Sequence, residues 1–150
     1  MEKNNFEKAR REIRANKNKE VIFSGDSDEL NRKVLEKESI DILLLNQAGR
    51  KDKLKQRDSG FNQVLAKIAK KKNVAIGINF DEIIKSKKKE KSDIIARIRQ
   101  NIVLCNKNKL KMQFILSNEN QRDIHDIKAL GLVLGMPTWM TKKLDFKNLF

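Results

Sequence analysis

Ile40-Asp41-Ile42-Leu43-Leu44-Leu45 decides the fold. After Asp41 the run is apolar without alternation, and a strand of that kind has to be covered on both faces. Strands buried on two sides belong to parallel sheets joined through helices. The flanking sequence supplies such helices. Upstream, Val21-Ile22-Phe23 is a short β-type run. Asp26 and Glu29 then stand as an N-cap and its N3 partner, opening a helix from about Ser27 to Lys37 with Leu30, Val34 and Leu35 as its apolar stripe. Downstream, a polar connection from Asn46 to Gly60 leads to Phe61, Val64, Leu65, Ile68 and Ala69, whose spacing predicts a helix.

The alternation continues. Val74-Ala75-Ile76-Gly77-Ile78 reads as a strand and Phe80 to Ile84 as a short helical turn. Ser92 is placed to cap a long helix, with Asp93 in its first turn and Ile94, Ile95, Ile98, Ile102 and Cys105 along one face. Lys111 to Leu116 is a fourth strand, and Asp123 opens a helix that stops near Gly135 and Pro137. This order predicts an α/β fold with a parallel sheet and right-handed crossovers. A closed eight-stranded barrel needs about 250 residues, and the chain has 150. The sheet is therefore expected to be open, with an edge covered by a partner or by the N-terminal helix. That helix, over residues 2–18, carries few apolar positions: Phe6, Ala9 and Ile13.

Composition narrows the function. Lys and Arg total 34 against 20 Asp and Glu, a formal net charge of +14. Up to Ala75 there are 19 basic against 12 acidic residues and beyond it 15 against 8, so each half carries +7. The charge belongs to the folded body rather than to a tail. Such a body attracts polyanions, because each neutralised phosphate releases counterions. RNA is the first expectation, DNA the second, an acidic membrane surface the third. No apolar run approaches the ~18–20 residues of a membrane span. The charged start and the single cysteine, Cys105, predict a cytoplasmic protein. One tryptophan and no tyrosine make base stacking a poor general mode of recognition. One histidine, His125, excludes a multi-histidine metal centre.

Three segments are candidates for contact with phosphate. Arg50, Lys51, Lys53, Lys55 and Arg57 share one loop with a single acid, Asp52. The loop follows the C-terminal end of a parallel strand, where α/β folds place their sites, and runs into Asp58-Ser59-Gly60 at a helix start. Asp58 or Ser59 can cap that helix while Arg57 faces phosphate. Lys87, Lys88 and Lys89 lie in a lysine run that reads as a solvated loop or an RNA clamp. Arg97 and Arg99 lie off the apolar face of the long helix, free to meet phosphate or acidic side chains. Cys105 continues an apolar stripe and reads as a core thiol, and His125 as a cap or surface residue. No phosphate-binding Gly-rich loop or nucleophile elbow occurs, so the residues describe a binding protein rather than an enzyme.

Several strings resemble a family when taken in order. They are Asn31-Arg32-Lys33-Val34-Leu35-Glu36, Ile40-Asp41-Ile42-Leu43, Arg57-Asp58-Ser59-Gly60-Phe61-Asn62-Gln63-Val64-Leu65 and Asn73-Val74-Ala75-Ile76, then Arg97-Ile98-Arg99-Gln100-Asn101 and Ala129-Leu130-Gly131. Together they resemble ribonuclease P protein component 3, the archaeal counterpart of the thirty-kilodalton eukaryotic subunit. The resemblance covers residues 20–137 as a β/α domain, leaving 1–19 as a helical arm and 138–150 as a tail. It implies a TIM-barrel-like fold related to PHP phosphoesterases and lacking their metal site. The family's first strands, before the segment matching Val21, have no counterpart here, so a truncated, open version is expected. The loop Ser117 to Gln121 is shorter than the family's, and the tail does not match.

The resemblance further implies a noncatalytic, RNA-binding subunit of the ribonucleoprotein that removes the 5′ leader from precursor tRNA. The RNA is then the catalyst and uses Mg2+, with no cofactor bound by this chain. The implied partners are ribonuclease P RNA, protein component 2 and other ribonuclease P proteins, with precursor tRNA met indirectly and no membrane. Asp58, Ser59, Gly60, Asn62 and Asn101 are expected to fix the loop and helix start, and the basic residues to touch RNA. The alternatives are a general basic RNA-binding or ribosome-associated protein and, more weakly, a barrel-type metallo-phosphoesterase.

Overall fold

The computed structural model describes residues 2–149. Five strands form one parallel sheet: β1 (Ile22–Phe23), β2 (Ile42–Leu45), β3 (Ala75–Asn79), β4 (Met112–Ser117) and β5 (Phe146–Leu149). The helices are α1 (Glu2–Ala15), α2 (Asp28–Lys37), α3 (Gln63–Lys72), α4 (Phe80–Lys85), α5 (Lys88–Lys107), α6 (Ile124–Leu134) and α7 (Thr138–Lys142). The strand order is β1-β2-β3-β4-β5. Each strand lies beside its sequence neighbour, so the chain winds in one direction, as in a β/α barrel, without the reversal of a doubly wound sheet. The result is an open, truncated barrel.

Strand periodicity sorts the core. Leu43, Leu45, Ile76, Ile78, Met112, Phe114 and Leu116 pack with the helices in the main core. The residues between them, Ile42, Leu44 and Ile115, join Ile22 and Ala75 in a smaller cluster on the other face. This is the double burial that the unbroken apolar run of β2 predicts. The sheet coils tightly there: a Cβ on Gly77 would lie 3.1 Å from Ile42 Cγ2 and 3.2 Å from the Leu44 Cα. Lys147 of β5, level with Ile115, reaches Glu20 just before β1 at 3.5 Å. The first and last strands thus approach each other across the inner face.

Helix α1 is docked on α2. Ala9 and Ile13 are buried in the main core, and Arg10 and Arg14 grip the buried Glu38 carboxylate at 2.9 and 3.3 Å. The helix flanks the β1 edge, with a cavity of about 210 Å³ between them. The residues that the sequence leaves without a clear element form α7 and β5, which adds a fifth strand beside β4.

Three helix starts differ from the sequence reading. Ser27, one residue after Asp26, caps α2 by accepting from the Leu30 N–H. Asn62, rather than Asp58 or Ser59, caps α3 by accepting from the Leu65 N–H. Helix α5 begins at Lys88, so Ser92 lies inside it and the lysine run is its first turn rather than a loop. For α2 and α3 the sequence holds several nearby residues with capping chemistry, and the path of the preceding loop selects among them; α5 starts after Lys87, which makes no side-chain cap bond. Asp123 and Gly135 do bound α6 as expected, Gly135 with a left-handed φ of 107°.

Candidate nucleic-acid interface

The connection after β2 is long and polar, yet it is held by a few side chains. Arg97, on α5, is 4% exposed and its guanidinium makes three bonds into this loop. Its Nε donates to Asp52 Oδ1 at 3.0 Å, Nη1 to the Gln47 carbonyl at 3.2 Å and Nη2 to the Arg50 carbonyl at 3.0 Å. One turn further along α5, Asn101 Oδ1 accepts from Ser59 Oγ at 2.6 Å. Gln47 Nε2 donates to the Ser59 carbonyl at 3.0 Å. Two strings far apart in sequence, one around Ser59 and one around Arg97, are therefore halves of one buried polar cluster. The spacing of Arg97 and Asn101 puts both on one face of α5.

Asp52 is the hub of the outer half. Besides Arg97 it accepts from the Asp58 N–H at 2.9 Å and from Arg57 Nη1 at 3.3 Å. The Asp58 N–H, and after it Arg97, hold its carboxyl below the ordinary carboxylate range. Arg50 is engaged as well: its fork meets both Asp28 oxygens at 2.7 and 2.9 Å, and Nε donates to the Asn46 carbonyl. That hydrogen-bonded carboxylate raises the Arg50 pKa against the effect of burial. Gly60 makes room for the pair. Its φ is +73°, and a Cβ there would sit 2.5 Å from Arg50 Nη2 and from Asp28 Oδ1. Glu82 closes the inner end, accepting from the Gln47 N–H at 2.8 Å; burial pushes its pKa up.

This geometry separates the basic residues. Arg97 is not on a free face of α5, as the helical pattern predicts; it is buried with three bonds into the loop, which places it to position the loop rather than to face solvent. Arg50 is likewise committed to Asp28. Asp58 and Asn62 make local bonds, to the Gly60 and Leu65 N–H groups, and Ser59 with Asn101 forms the buried contact. Lys51, Lys53 and Lys55 are exposed and form no ion pair among the described residues. Arg57 is half-exposed between Asp52 and Asp93, the latter at 3.6 Å. Arg99 is exposed, with Nη2 on the Val133 carbonyl at 3.2 Å. Lys87, Lys88 and Lys89 are exposed at the start of α5.

The Arg57–Asp93 contact joins the loop to the first turns of α5. The free lysines of both segments therefore share the end of the molecule at which β2 and β3 terminate. Three lysines at a helix N-terminus oppose the helix dipole, so local helix stability does not account for them. Beside the loop lies a cavity of about 540 Å³, whose wall includes Lys53, Arg57, Asn62, Gln63 and Gln100. Asp28, Glu29 and Asp58 share the wall, so it offers cations, amides and carboxylates together, groups that can meet phosphates and base edges. The residues that sequence reasoning missed are Asp52, Gln47 and Asp28. Asp52 was visible as the single acid in a basic loop, which marks it as an internal partner.

Cys105 is fully buried on α5, and burial pushes its thiol pKa up. His125 is exposed at the start of α6. Among the described residues no three His, Cys, Asp or Glu side chains converge as a metal site would require. No helix among them is long and apolar enough to cross a membrane.

The chain as a whole is similar to known proteins. The family model for RNase P subunit p30 matches residues 4–144. Ribonuclease P protein component 3 of Methanococcus maripaludis strain C5 is 30% identical over 146 residues, 97% of this chain and 59% of that protein. The protein of the same name from Methanocaldococcus jannaschii is 28% identical over 128 residues, 83% of this chain and 53% of its own length. Among solved structures, a chain in the cryo-EM structure of archaeal ribonuclease P with mature tRNA superposes with a TM-score of 0.69 at 25% identity, covering 82% of this chain and 52% of that one. The chain thus spans between half and three fifths of the length of the relatives it matches.

Proposed function

Because the chain belongs to the RNase P subunit p30 family, we propose that it is an RNA-binding protein subunit of ribonuclease P. It supports the catalytic RNA in removing the 5′ leader from precursor tRNA and catalyses nothing by itself. The observation that carries this reading is the shared end of the molecule at which Lys51, Lys53, Lys55 and Arg57 meet the lysine turn of α5 through the Arg57–Asp93 contact. Asp52, Arg97 and Asn101 hold that surface in shape. Phosphates are drawn by the free lysines, and the buried arginine fixes where the lysines stand.

In this reading Mg2+ is used by the RNA, and the chain itself carries no cofactor. Protein component 2 and the other ribonuclease P proteins are its protein partners, precursor tRNA is met indirectly, and the complex works in the cytoplasm. The test is competitive RNA binding. Ribonuclease P RNA should displace an unrelated RNA of equal length from the chain, and Lys51→Glu with Lys53→Glu and Lys55→Glu should abolish that preference without changing the melting temperature. Equal affinity for the two RNAs would assign the chain to general RNA binding. Cleavage of precursor tRNA at its mature 5′ end by the chain alone would overturn the noncatalytic role.

A further inference from the structure

The opposite end of the sheet carries a second basic cluster. A cavity of about 350 Å³ opens where β2, β3 and β4 begin, with Lys70, Lys109, Lys111, Lys143 and Trp139 in its wall. Two carboxylates also line it, and both are occupied within the chain. Asp41 Oδ2 accepts from the Val21 N–H at 2.7 Å, and Glu20 pairs with Lys147 at 3.5 Å. None of the four lysines is in an ion pair among the described residues. Lys70 caps the Lys109 carbonyl at 3.0 Å and so braces the wall.

Trp139 is held in place. Its indole N–H donates to Asn106 Oδ1 at 2.9 Å, the ring packs against the main core, and the Lys109 and Lys143 ammonium groups lie over it, 5.3 and 5.8 Å from its centroid. An oriented aromatic face surrounded by cations is the device by which proteins hold single-stranded nucleic acid, with a base on the ring and phosphates on the cations. Stacking is no general mode for a chain with one tryptophan, but a single-nucleotide site needs only one ring. Gln113 lines the same cavity and has its Oε1 buried without a donor, so it can turn to a ligand hydroxyl or amino group.

We propose that this cavity takes one nucleotide of a single-stranded RNA segment, its base displacing the Lys109 and Lys143 ammonium groups from over Trp139 and its phosphates taken up by those two lysines and Lys111. The proposal rests on the reading of the chain as an RNA-binding subunit. It adds a contact on the face away from the Arg57 loop, so that RNA is gripped at both ends of the sheet.

Trp139 is the chain's one tryptophan, so its emission reports this site alone. The full chain is titrated with a short oligouridylate while binding is followed independently by mobility shift. The expected result is a saturable change in emission that tracks binding. Trp139→Ala should weaken the mobility shift on the order of tenfold. Lys111→Glu, at a side chain with no ion-pair partner among the described residues, should weaken the shift at unchanged melting temperature. Uridine monophosphate and inorganic phosphate should leave the emission unchanged at the same concentration. An oligouridylate that binds without altering the emission would overturn this site and leave the Arg57 surface standing. Equal potency of the mononucleotide would replace the RNA strand by a free nucleotide and overturn the proposal. If the chain bound no RNA of any kind, both readings would fall.

Discussion

Arg97 shows most clearly what one side chain does here. Its three bonds reach two backbone carbonyls and a carboxylate of the same loop, and no smaller cation can make all three. Arg97→Lys is expected to leave buried carbonyls unpaired and cost about 2 kcal/mol, read as a lower denaturation midpoint at unchanged slope. Its effect on RNA binding should follow from loss of loop order. Arg57→Ala should do the opposite, leaving stability nearly unchanged while lowering the dependence of log K on log salt by about 0.7–0.9. Asp52 adds a pH signature. Its pKa is lowered in the fold, so its stabilising contribution is present above the ordinary carboxylate pKa and is lost only as pH falls through the depressed folded value. Carbon-detected titration of Asp52 should place its midpoint below that of an exposed aspartate, and Arg97→Lys should bring the midpoint back up.

At the level of elements, two features can be tested with opposite signs. The lysine turn of α5 works against the helix dipole, so Lys88→Glu with Lys89→Glu should stabilise the fold by about 0.5 kcal/mol while weakening RNA binding. A change that improves the protein and harms the function separates the two roles of the turn. Gly60 is the converse, a residue the loop requires. Gly60→Ala combines a left-handed φ with a clash against the Arg50–Asp28 pair and should cost about 1–3 kcal/mol, seen as a fall in melting temperature with the helical circular dichroism retained. Cys105, buried in the same helix, should resist thiol reagents until the protein unfolds.

For the whole molecule, the parallel β/α order and the identity of the first four strands were legible because β2 and β3 are unbroken apolar runs and the helices between them have clear 3.6-residue periodicity. The fifth strand was not. Phe146, Lys147, Asn148 and Leu149 show no such run, and their pairing with β4 is decided by a partner strand already in place. The candidate site was half legible. Its place after β2 and its exposed lysines could be read from spacing and charge, whereas the strings around Ser59 and Arg97 stood out only by their resemblance to the family. The roles within it could not: a buried arginine and an exposed one look alike in sequence, and only the fold shows that Asp52 and the loop carbonyls draw Arg97 inward. The chain carries a net charge of +14 and the fold sets basic clusters at both ends of one sheet, so RNA affinity should fall linearly in log K against log salt. The most direct measurement is to recover the tagged chain from its own cells and sequence the RNA that accompanies it. Enrichment of ribonuclease P RNA, with precursor-tRNA cleavage in the eluate, is the predicted result. A broad mixture of ribosomal and messenger RNA without that activity would contradict the account.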